Sequence, residues 1–153
     1  MTSVRLVEAF IEAAGLQNRR GELDLALTEV ALNKQSGAAL ARWPGFGISP
    51  EDFAAHIGRV MTIDVSTLEA AIGRLHGLDL YLALACAQGV SRAVAAFYEH
   101  YRASIERTLA RMRLPEATAA DLCQRIVVRL VYPGGESPPR ILSYAGQAPL
   151  TAW

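Results

Sequence analysis

Apolar residues recur at three- and four-residue steps along most of the chain, and glycine, proline and capping residues punctuate them, so the pattern predicts a succession of helices. Val7, Phe10, Ile11 and Ala14 mark a helix over 4–14 that Gly15 can close. A second is expected from about 22 to 42, with Leu23, Leu27 and Val30 on one face and Trp43-Pro44-Gly45 as its stop. Ser49-Pro50-Glu51-Asp52 opens a short amphipathic helix through Phe53, Ile57 and Val60: a capping hydroxyl, a proline suited to the first position, and acids at the positive helix end. Ser66 and Glu69 have capping-box spacing for a helix over 67–76 ending at Gly77, and Asp79 can cap the next, through Gln88, with Gly89 as a left-handed terminator.

The strongest pattern follows Ser91. Val94, Phe97, Tyr101, Ile105, Leu109 and Met112 form one stripe over a helix at 92–113, which Leu114-Pro115 ends. Thr118 and Asp121 then open a helix to about Val131, buried through Leu122, Ile126 and Leu130. The stretch 133–139 is too rich in proline and glycine for regular structure, and one further helical turn begins near Pro149. β-Branched residues nowhere alternate outside a helical register; Val127, Val128 and Val131 come nearest, and the four-step register before them favours helix. The expected fold class is all-α, a small multi-helix bundle.

Composition bounds this picture. The 153 residues are 52% hydrophobic and 20% charged, which suits one globular domain or two small helical units and argues against disorder. Cys86 and Cys123 sit inside apolar helical patterns, not at ligand spacing, and read as buried free thiols in a reducing compartment. There is no basic opening followed by an apolar run and a cleavage site, and charged residues interrupt every membrane-length window, so cytoplasmic residence without a membrane partner is the expectation. The net charge is +0, with 7 basic against 9 acidic residues in 1–76 and 8 against 6 in 77–153. So mild a tilt does not by itself support binding to duplex DNA, because non-specific affinity grows with the number of phosphates neutralised.

Chemistry is sparse. His56, His76 and His100 fall on separate predicted helices, and none has a second histidine or cysteine at metal spacing, so no metal or cofactor site is assigned and each reads as a surface or partly buried imidazole. Gly134-Gly135 lacks the Lys-Ser/Thr of a phosphate loop, no serine stands in a nucleophile elbow, and no residue is nominated for catalysis. What remains is a group of arginines, Arg102, Arg107, Arg111, Arg113, Arg125 and Arg129, on the outer faces of the two long helices. Tyr144 and Trp153 flank the short loop 145–148; two aromatics near a chain end are more often core or hinge residues, and only if exposed could they stack unpaired bases, at about 1–3 kcal/mol each.

The order of these pieces resembles the second conserved region of bacterial RNA polymerase sigma factors, in particular the compact extracytoplasmic-function-like group and its divergent myxobacterial relatives. The resemblance is carried by the run from Asp79 to Gly89, then Ala93, Ala96-Phe97 and Tyr101, and the close of the long helix at Arg111-Met112-Arg113-Leu114-Pro115. It continues in Ala120-Asp121-Leu122-Cys123-Gln124 with Arg129-Leu130, similar to the family's Asp-Leu-x-Gln helix, and in the stretch from Tyr144 to Trp153. It divides the chain into a helical leader, 1–76, and a sigma region-two-like domain, 77–153. The resemblance implies that Asp121, Leu122, Gln124 and Arg125 bind the clamp helices of the polymerase core's largest subunit. It also implies that Tyr144, Gln147 and Trp153 approach the minus-ten promoter element. Arg125 stands where the family usually has an acid, and the family's helix with most promoter-melting contacts would lie past Trp153, so transcription initiation by these residues alone is not expected. The rival expectation is a helical interaction module or degenerate sigma relative that pairs with a protein, such as an anti-sigma partner or a second copy of itself, and does not touch DNA.

Overall fold

The computed structural model describes residues 3–153. Seven α-helices and four short 3-10 turns make up the regular structure of those residues, and the nearest approach to a strand among them is an isolated bridge between Gly134 and Ser137. The fold class is all-α. The helices are α1 (Ser3–Ala14), α2 (Leu25–Arg42), α3 (Pro50–Val60), α4 (Leu68–Arg74), α5 (Gly77–Ala87), α6 (Ser91–Ala110) and α7 (Glu116–Val131). They fall into two compact units. One runs through Tyr81 and includes Ala145–Leu150; the other comprises Leu82–Tyr144 and Thr151–Trp153, so the division lies within α5.

In the first unit α1 packs chiefly on α3, burying Leu6, Val7, Phe10 and Ile11 on one side and Phe53, Ala54 and Ile57 on the other. The two helices approach closely at Gly58, where an added Cβ would lie 2.7 Å from the Phe10 carbonyl oxygen and 3.2 Å from the Ala14 amide nitrogen. Both are backbone atoms within a helix, so neither can yield as a side chain would. Ser49 caps α3 as its sequence promises, accepting the Asp52 amide at 3.0 Å, with Pro50 at the first position. The Trp43-Pro44-Gly45 stop becomes an aromatic cluster. Phe46 stacks between Trp43 and Tyr81, Phe53 meets Tyr81 edge-on, and the Trp43 indole N–H donates to the Leu78 carbonyl at 3.2 Å.

Several expectations for this unit need correction. The residues 17–22 form a separate 3-10 turn, and α2 begins only after Asp24, whose carboxylate accepts the Leu27 amide. The face expected through Leu23, Leu27 and Val30 is not the packed one: Leu27 and Val30 are 56% and 64% exposed, and Leu23 is only half-buried. The buried face is Thr28, Glu29, Leu32, Ser36 and Ala39. An apolar-in rule fails here because Glu29 joins two helices from inside. It accepts the Val7 amide at 2.9 Å and the Asn33 side-chain amide at 3.1 Å, so the buried carboxylate has partners for both oxygens. The Ser66–Glu69 capping box does not form. Ser66 instead donates to Asp64, and Thr67 precedes α4 without a side-chain cap. Gly77 starts α5 and does not close α4; a Cβ there would collide with the Gln35 side-chain oxygen, and the Gln35 amide caps the end of α4 through the Ile72 and Leu75 carbonyls.

His56 also departs from expectation. It lies on α3 with 2% of its surface exposed, and its Nε2 has no hydrogen-bond partner among the described residues. Burial, reinforced by the charge of Arg59, lowers its pKa from 6.5 to about 4.

Two measurements check these packing arguments. Gly58→Ala should destabilise the chain by about 1–3 kcal/mol in urea unfolding despite alanine's better helix propensity, whereas Gly37→Ala in α2, with open space around it, should be neutral or stabilising by up to about 1 kcal/mol. Because His56 is held below its unfolded pKa, the unfolded chain takes up a proton that the folded chain refuses as pH falls from 6.5 towards 4. Stability is therefore present above pH 6.5 and lost through that window, by on the order of 2–3 kcal/mol from this group. His56→Leu should flatten the acid limb of a stability-against-pH curve by a similar amount.

Candidate functional site

The second unit is built on α6 and α7, which pack on one another, with the 3-10 turn Arg140–Ser143 against α7. From α6 the buried side chains are Ala93, Phe97 and Leu109. Val94, Tyr101 and Ile105 are half-buried, so the expected stripe is present up to Leu109, but Met112 is 61% exposed. The reason is local: α6 ends at Ala110, and Arg113 takes a left-handed conformation with φ 54° that turns the chain before Pro115. Gly89, with φ 76°, makes the turn before α6 as expected, although Val90 and not Ser91 occupies the cap position and makes no side-chain cap.

The register of α7 decides what this unit presents to solvent. The helix begins at Glu116, before the expected Thr118–Asp121 cap. Its fully buried positions are Cys123, Val127 and Val131, while Leu122, Ile126 and Leu130 are only half-buried. Rotation of the inner stripe by one residue places Asp121, Gln124, Arg125, Val128, Arg129 and Tyr132 on the exposed side at helical three- and four-residue spacing. Asp121, Leu122, Gln124 and Arg125 all line one shallow depression on this side, of about 690 Å³, together with Ile126, Val128 and Arg129. Asp121, being inside the helix, accepts from Arg125 at 2.9 Å in an exposed ion pair one turn apart. The four residues assigned to polymerase binding are thus together on one solvent-facing surface. Val128 and Tyr132, 47% and 51% exposed, extend it. Their signal in the sequence is the unbroken helical spacing, masked by an apolar character that by itself points to the interior.

The three residues assigned to promoter contact are not equivalent. Tyr144, which the resemblance places at promoter DNA, is 1% exposed and meets Trp153 edge-on at 5.9 Å between ring centres. Its ring is part of the core, as the core reading of these aromatics has it, and this corrects the promoter contact that the resemblance implies for it. Trp153 is 47% exposed, and Gln147 is exposed but belongs to the other unit. The segment around Gln147 is tied within that unit by polar contacts that no motif announced: the Gly146 carbonyl accepts the His76 amide at 2.8 Å, and the Asp79 carboxylate accepts the Leu150 amide at 2.9 Å. Asp79, expected as a helix cap, stands in the first turn of α5 and anchors this distant segment. In place of a helix near Pro149 there is a single 3-10 turn, Leu150–Ala152.

Cys86 and Cys123 are both buried and unpaired with one another, and burial raises both thiol pKa values, that of Cys86 to about 12. Among the described residues no group of three His, Cys, Asp or Glu side chains could hold a metal ion, and no single helix is long and apolar enough to cross a membrane. No protein-family model, curated protein or solved structure matches the chain.

Exposed ion pairs contribute little to folding because water and salt screen them and ordering the side chains costs entropy. Asp121→Ala and Gln124→Ala should therefore leave the melting temperature within about 2 °C of the parent, measured by circular dichroism.

Proposed function

We propose that the chain is a cytoplasmic, sigma-factor-like transcription protein that docks on the clamp helices of the RNA polymerase core through the outer side of α7. The observation that carries this reading is the gathering of Asp121, Leu122, Gln124 and Arg125 on one solvent-facing depression of a helix whose opposite side is anchored in the core. Such a surface suits recognition of a partner helix: the scaffold is rigid, polar groups are available for register, and half-buried Leu122 and Ile126 supply an apolar floor. The resemblance in residue order supplies the identity of the partner. In this reading contact with the minus-ten element is confined to Gln147 and Trp153, since Tyr144 is enclosed.

A second reading is favoured by that enclosure. If the aromatic pair is structural, the same α7 surface serves a helical interaction module that binds protein and never DNA, with an anti-sigma protein or a second copy as partner. Light scattering during size exclusion distinguishes self-association from a monomer.

The test is association of the full chain with the isolated clamp helices of the largest polymerase subunit. The parent chain should bind, and the double variant Asp121→Ala/Gln124→Ala should bind at least about tenfold more weakly while remaining folded. Absence of association, or undiminished binding by the double variant, overturns the sigma-like reading.

A further inference from the structure

Beyond the last turn of α7 lies a second depression, of about 450 Å³, that no motif in the sequence marks. Val128, Tyr132, Pro133 and Pro138 supply its apolar lining, and Arg129 and Arg140 line it as well. Val128 and Arg129 also line the depression of the candidate site, so the two are continuous. The apolar lining is exposed where it should be costly: Val128 is 47% and Tyr132 51% open to water. The arginines are charged without compensation. Arg102 is engaged by Glu106 and Arg125 by Asp121, but Arg129 and Arg140 form no ion pair among the described residues. Glu136, at the tip of the adjoining turn, does not line the depression.

We infer that this arginine-lined shelf is a docking site for an acidic amphipathic segment of a partner protein, with Tyr132 as the apolar anchor and Arg129 and Arg140 as the charge-selecting residues. The inference extends the docking side of α7 and so rests on the reading of that side as an interface. Three features select the partner's chemistry. An exposed tyrosine and valine, with two prolines in the same lining, match an apolar side chain of the partner, and tyrosine and arginine are both enriched among residues that carry binding energy at protein interfaces. Two arginines without acids leave positive potential there, which a partner carboxylate would complement and which would raise the encounter rate. The whole second unit repeats that sign, with eight arginines against five acids, whereas the first unit has seven basic residues against ten acids. A nucleic acid fits less well. Affinity for phosphates scales with the number neutralised, and two uncompensated arginines in an otherwise apolar lining, with Asp121 on the adjoining depression, offer few contacts.

The experiment titrates the full chain against two synthetic amphipathic helical peptides with the same leucine positions, one carrying glutamates and the other lysines on its polar side, and against a short single-stranded DNA. The glutamate peptide should bind at least about tenfold more tightly than the lysine peptide and weaken as salt rises. Arg129→Glu/Arg140→Glu should abolish that preference, and Tyr132→Ala should weaken binding by about tenfold or more; all three positions are exposed, so the variants should keep the parent circular dichroism spectrum. Equal binding of the two peptides, no binding, tighter binding of DNA, or a preference that survives charge reversal overturns the inference. Its failure is separable from that of the function proposed above. Clamp-helix binding that is lost in Asp121→Ala/Gln124→Ala but unchanged in Arg140→Glu, a residue that lines the shelf and not the candidate site, without glutamate-peptide selectivity, keeps the α7 reading and removes the shelf. Selective glutamate-peptide binding without clamp-helix association removes the polymerase and keeps the shelf.

Discussion

The burial of Cys123, Val127 and Val131 on the inner side of α7 is the constraint on which the candidate interface depends. Three small or β-branched side chains, spaced four apart, fill the buried side and set the rotation of the helix about its axis. Once that rotation is set, every other position of α7 is assigned to half-burial or to solvent, because residues three and four apart share a side and those one apart do not. A rotation of one residue further would have buried Gln124 and Val128 in place of Cys123 and Val127. The exposed polar row is therefore a consequence of core packing, and the precision with which it is presented comes from the rigidity of the packed side.

The first unit shows the same logic with a different limiting contact. Gly58 permits α1 and α3 to approach until one backbone lies against the other, and Phe10, Phe53 and Ile57, all fully buried, pack around the crossing. Polar burial accompanies this close packing in two opposite ways. Glu29 is buried with partners, tying α2 to α1, whereas His56 is buried with one nitrogen unpaired and stays neutral by giving up most of its basicity. The unit is thus built for neutral pH, and its acid sensitivity is written into α3.

The segment 145–150 links sequence order to structure in a way that alters the functional reading. It follows Tyr144, a core residue of the second unit, yet it is held in the first by the Gly146 carbonyl and the Leu150 amide. Residues that stand together in the sequence as a candidate nucleic-acid surface, Tyr144, Gln147 and Trp153, are consequently divided among a core position, one unit and the other. The α7 surface suffers no such division, since all its residues belong to one helix. That contrast is why the protein-binding reading has a geometric basis and the promoter contact has less.

From the sequence alone, the helical class, the punctuation at Gly15, Ser49-Pro50 and Gly89, and the two long helices near 92–113 and 118–131 could be read. Each rests on local chemistry: apolar periodicity, capping hydroxyls, the restricted φ of proline and the freedom of glycine. The same local rules misplaced the buried sides of α2 and α7 and the caps at Ser66 and Asp79. Alanine, valine, cysteine and leucine occupy several sides of these helices, so apolar spacing alone could not say which side meets a neighbour. Only tertiary packing decided that Glu29 and His56 go inside while Leu27, Val30 and Tyr132 stay out, and that Tyr144 is core. Burial is a property of what lies opposite in space, and hydrogen bonds such as Asp79 to Leu150 close over seventy-one residues, a separation at which no short motif carries information.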